Sequence, residues 1–93
     1  MNHIYVKQTN VLNADTARRF ALHEVIYSNG KLYEEFRNSL GEDFMKLSGK
    51  DLVAAMDLFI DRKNFKIVCE KPMVRLDTEK NWYRVDVVYT IEV

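Results

Sequence analysis

The sequence predicts a small α+β fold: an antiparallel sheet, made of an N-terminal strand plus a C-terminal hairpin, with two to three helices packed on one face. Three observations carry that expectation. From Trp82 to Val93 the residues alternate apolar and polar, and a second extended run precedes them across a short polar connection. Between Ser48 and Asn64 apolar residues recur at helical spacing instead. The 93 residues hold only three glycines and one proline, so few breaks are available and the elements follow one another closely. A chain of this length is expected to form a single domain over residues 1–93.

Taken in order, Ile4-Tyr5-Val6 reads as a short first strand. Residues 14–28 support two readings. Asn13 or Asp15 offers an N-cap, and Ala14, Ala17 and Ala21 favour a helix. Yet Phe20, Leu22, Val25, Ile26 and Tyr27 make no helical stripe, and Ser28-Asn29-Gly30-Lys31 resembles a type I′ hairpin turn. A helix beginning near Ala14 is the preferred reading.

Leu32, Tyr33, Phe36 and Leu40 line one face of a helix over Leu32–Leu40, with Gly41 suited to its C-terminal stop. The next helix has Ser48 with Asp51 three residues on, a variant capping box. Leu52, Val53, Met56, Phe59 and Ile60 form its apolar face, and Asn64 ends it.

In the hairpin, Phe65, Ile67 and Cys69 alternate with Lys66, Val68 and Glu70, which makes Cys69 a buried small hydrophobe. Pro72 marks a bulge, a strand end or an edge, because it cannot donate to a ladder. Asp77–Asn81 is the connection. In the last strand Tyr83, Val85, Val87, Tyr89, Ile91 and Val93 take the core face. Trp82, Arg84, Asp86, Val88, Thr90 and Glu92 take the wet face.

Composition excludes several function classes. No run approaches the roughly 18 apolar residues of a membrane span. The N-terminus lacks a basic start followed by an apolar stretch, so no signal peptide is expected. A lone cysteine permits no internal disulfide, which fits a reducing, cytoplasmic location. Fourteen basic residues balance fourteen acidic ones, without the excess expected of a DNA-tracking surface. Residues 32–61 are the acidic stretch, with seven carboxylates against three cations.

Catalytic and metal patterns are missing. His3, His23 and Cys69 share no ligand or nucleophile spacing, so His3 is expected to decorate a strand and His23 a surface. Adjacent helical carboxylates point about 100° apart, so neither Glu34-Glu35 nor Glu42-Asp43 forms a natural proton-sharing pair. Gly49-Lys50 lacks the rest of a phosphate loop and reads as a helix start. No cofactor or metal is implied.

The wet face of the last strand is the best candidate surface. Trp82, Arg84, Asp86 and Val88 would contact a partner, since an exposed Trp beside an Arg has hot-spot composition. The expected function is non-enzymatic: a small inhibitor or accessory protein that occupies another protein's surface, with homodimerisation through a sheet edge as an added option. The alternative is nucleic-acid binding by Arg18, Arg19 and Arg75 together with Trp82 and Arg84. A small enzyme with no recognisable motif is the third reading.

Overall fold

A computed structural model describes residues 2–93. The elements run β1 (His3–Gln8), α1 (Ala14–Ser28), α2 (Gly30–Leu40), a 3-10 helix (Gly41–Lys46), α3 (Lys50–Lys63), β2 (Lys66–Asp77) and β3 (Trp82–Glu92). The strands form one antiparallel sheet in the order β1-β3-β2. The helices lie on one face of it, so the expected α+β class holds.

Residues 14–28 are helical. The Asn13 side chain caps α1 by accepting from the Thr16 amide at 3.0 Å. The missing stripe has a structural cause, because α1 is buried on two sides. Ala17, Ala21 and Val25 pack on the sheet with Val6, Val87, Tyr89 and Ile91. Ile26 joins Phe36, Met56, Phe59 and Ile60 in a second cluster among the helices. Two apolar faces on one helix blur its period. The alanines let α1 approach the sheet closely, and α1 supplies most of the helix–sheet contact while α2 and α3 pack behind it.

The type I′ turn that Ser28–Lys31 resembles, part of the less favoured reading, does not form. Asn29 has φ −112°, outside the left-handed region such a turn needs. It ends α1 and caps α2, its side chain accepting from the amides of Lys31 at 3.1 Å and Leu32 at 3.2 Å. One capping residue therefore replaces a loop. The Ser48 capping box is likewise unused: Gly49, at φ +54°, holds the N-cap position of α3 without a side-chain bond. Asn64 stops α3 in the left-handed conformation, as its type suits.

β2 departs from simple alternation at one residue. Ile67 pairs with Ile91 and Cys69 with Thr90, leaving Val68 as the extra residue of a β-bulge. Beyond it every side chain changes face. Glu70, Pro72, Val74 and Leu76 turn to the helix side; Cys69, Lys71, Met73 and Arg75 turn outward. Cys69 is thus exposed, not buried.

The hairpin also outruns its cover. β1 pairs with β3 only from His3↔Glu92 to Gln8↔Val87, whereas β2 continues to Asp77↔Trp82. The molecule measures 49 × 32 × 19 Å, with a radius of gyration of 15.2 Å. A compact chain of this length would have about 12 Å. Among the described residues no helix is long and apolar enough to cross a membrane.

Candidate functional site

The projecting end of the hairpin has apolar residues on both faces. Val74, Leu76 and Tyr83 lie on the helix side, where no helix reaches them; they are 67%, 55% and 73% exposed. Tyr83 was expected in the core. Alternation assigns it to the correct face, but that face is covered only from Val85 onward. Trp82 on the outer side is 56% exposed, as expected, and Lys80 Nζ stands 5.2 Å from its ring centre. Leu12, in the segment between β1 and α1, is almost wholly exposed. It borders a groove of about 310 Å³ lined by Val11, Leu12, Trp82, Tyr83 and Val85 among others.

Asp86 corrects the expectation of a wet face. It points outward from the sheet, yet it is fully buried. Its cover is made of long side chains from the neighbouring strands. Lys7 Nζ and Arg75 Nη1 lie 3.8 and 3.5 Å from Oδ2, and Arg84 Nη2 lies 3.6 Å from Oδ1. The Asn10 amide donates to Oδ1 at 3.3 Å. Burial pushes the Asp86 carboxyl up, but the Asn10 amide, Arg84, Lys7 and Arg75 outweigh it and hold the group below its ordinary value. Asp86 is therefore an anchor: it fixes the point where β1 leaves the sheet and gathers a cation from each strand. It is closed to a partner. Val88 is half-buried between Lys7 and Lys71. Of the four expected contact residues, only Trp82 is freely accessible, and Arg84 is partly so.

The residues of the nucleic-acid alternative do not converge. Arg75, Trp82 and Arg84 share the outer face of the hairpin. Arg18 and Arg19 sit on α1, across the sheet. Arg18 binds Asp15 and, through two guanidinium nitrogens, Glu70. The hydrogen bond from Arg18 lowers the Glu70 pKa. Arg19 pairs with Asp61 at 3.0 Å. A wider groove of about 420 Å³ between α1, the end of α3 and β2 is lined by these residues. Its arginines are already matched by Asp15, Glu70 and Asp61, which leaves little free charge for a ligand.

His23 is buried rather than superficial, with Nε2 2.6 Å from Asp57 Oδ1, and so ties α1 to α3. His3 is exposed on β1 as expected. Glu35 pairs with Lys63, and Glu42 and Asp43 are exposed in the 3-10 helix. Among the described residues no three His, Cys, Asp or Glu side chains gather as a metal-binding group.

Sequence reasoning missed Leu12, Val74, Leu76 and Tyr83. The usable signal was length: a hairpin of 12- and 11-residue strands flanked by a six-residue strand must project beyond it. No protein-family model, curated protein or solved structure matches this chain.

Proposed function

We propose that this chain is a non-enzymatic protein-binding module that acts by occupying a partner's surface, as an inhibitor or accessory protein does. One observation supports it most directly. The free end of the hairpin carries Val74, Leu76, Trp82 and Tyr83 into solvent, with Leu12 beside them. Scattered apolar residues on a surface are ordinary, but a cluster of large ones on a projecting element is the composition of an interface. Trp and Tyr there offer wide contact area at little entropic cost. The exposed thiol of Cys69 suits a reducing compartment such as the cytoplasm.

Dimerisation through the long free edge of β2 is disfavoured by the edge itself. Pro72 removes a donor at its middle and the Val68 bulge breaks its regularity.

The test is affinity capture from the native host on immobilised protein. A partner should be retained by wild type and by Tyr27→Ala, which alters an exposed aromatic on α1, and lost by Trp82→Ala/Tyr83→Ala. Equal capture by all three removes the hairpin from the function. Capture of nucleic acid that falls steeply with salt would favour the alternative reading.

A further inference from the structure

We infer that the notch where β1 leaves the sheet is a strand-addition site for an extended segment of a partner protein whose side chains alternate apolar and acidic. The inference rests on the protein-binding reading and specifies its chemistry.

The backbone carries the first part of the argument. β3 is paired with β2 along its length, but with β1 only from Glu92 to Val87. On that second edge one more bond follows, from the Val11 amide to the Val85 carbonyl at 2.8 Å. Antiparallel pairing turns the amide and carbonyl of alternate residues to the same edge. Val85 faces the notch, so Tyr83 turns both its N–H and C=O there, while Arg84 turns toward β2. Among the described residues nothing pairs with the Tyr83 amide, the Tyr83 carbonyl or the Val85 amide. These are the groups that an added strand satisfies.

Side chains specify the occupant. A strand laid beside β3 presents alternate residues to the two sheet faces. On the helix side it meets the groove formed by Val11, Leu12, Tyr83 and Val85. On the outer side it meets Arg84 and the charge gathered with it, where Lys7, Arg75 and Arg84 surround the single carboxylate of Asp86. With Lys80 over the Trp82 ring and Asp77 and Glu79 beside Arg75 and Arg84 counted in, four cations face three anions, an excess of one that acidic outward residues of the occupant would match. A nucleic acid has no regular ladder of donors and acceptors to match these backbone groups. A second copy has two free strand edges and neither fits: that of β2 carries Pro72 and the bulge, and β1 turns His3, Tyr5 and Lys7, not acids, to the outer face.

The experiment titrates the full chain with a blocked peptide of about eight residues alternating valine and glutamate, a typical strand length. Trp82 fluorescence reports binding, and amide exchange by NMR reports where. We expect saturable binding, slowed exchange of the Tyr83 and Val85 amides, and loss of binding when lysine replaces glutamate. N-methylation of alternate peptide nitrogens on one edge should weaken binding at least about tenfold, as expected for lost hydrogen bonds, without touching the protein. The inference is overturned by no binding at millimolar peptide, by indifference to N-methylation, by preferential binding of single-stranded RNA, or by self-association that protects these amides in the protein alone. A captured partner that depends on Trp82 and Tyr83 yet leaves their neighbouring amides exchanging freely would retain protein binding and reject strand addition. If no partner depends on the hairpin, the protein-binding reading itself fails.

Discussion

The two ends of β3 were built by one alternating pattern and meet different fates. At the C-terminal end Val87, Tyr89 and Ile91 are buried beneath α1, with Ile91 and Tyr89 almost completely excluded from water. At the other end Tyr83 occupies the same face and is mostly exposed. Alternation establishes that a strand has two unlike faces; whether anything covers the apolar one depends on where the neighbouring elements stop. Here β1 stops at Gln8, opposite Val87, and the cover thins beyond that line.

The sharpest way to test the part that cover plays is to cut a large side chain from the covered interior and one from the bare end of β3. Phe36 is fully buried among the helices and meets Phe59 edge-on at 5.4 Å between ring centres. Phe36→Ala should lower unfolding free energy in denaturant titration by about 3–5 kcal/mol through lost contacts and a residual cavity. A loss no larger than that of Tyr83→Ala would abolish the distinction between the covered interior and the bare end of β3.

Asp86 stands at the boundary between them. Its folded carboxyl lies lower than its unfolded one. Its stabilising contribution is therefore complete above the unfolded carboxylate range, near about pH 4, and disappears as pH falls through the lower folded value. Asp86→Asn should lower the melting temperature at neutral pH, because Lys7, Arg75 and Arg84 lose their shared countercharge. It should also flatten the acid limb of a stability–pH profile. A variant with an unchanged acid limb would show that other carboxylates govern acid unfolding.

The bare end should respond weakly. Trp82→Ala with Tyr83→Ala should change stability by less than about 0.5 kcal/mol, the ordinary range for surface sites. Trp82 is the sole tryptophan, so its emission in the free protein should be red-shifted and readily quenched. Blue-shifted emission from a demonstrably monomeric sample would place it under cover. Smallest of all is the effect expected at Cys69. It should react readily with a thiol reagent in the native state and leave the melting temperature within about a degree, since it packs against no core. Slow labelling would mean that the bulge at Val68 is absent.

Much of the architecture was legible because local signals agreed. The order of elements, the stops at Gly41 and Asn64, the α2 stripe and the exposure of Trp82 all follow from residue type and spacing. The errors share one cause: tertiary context that local pattern does not carry. Asn29-Gly30 has turn chemistry, but two helices needed a single cap between them. Asp86 stands at a polar position of the alternation, but three long cations from separate segments close over it. Arg18 and Arg19, named for the nucleic-acid alternative, gave no sign in the sequence that folding would set Glu70 and Asp61 against them. Nothing at Val68 marks it as the supernumerary residue, and the outer surface of β2 depends on it.

That residue and Pro72 also bear on the life of the protein in a crowded solution. An unbroken strand of 12 residues with one open side is a template for uncontrolled polymerisation. Deleting Val68 would leave the remaining pairs in their present register, and Pro72→Val would restore the absent donor. The double variant should fold as the parent does, yet precipitate on concentration. The irregularities of β2 would then act as a colloidal safeguard for a chain whose hairpin end exposes Val74, Leu76, Trp82 and Tyr83.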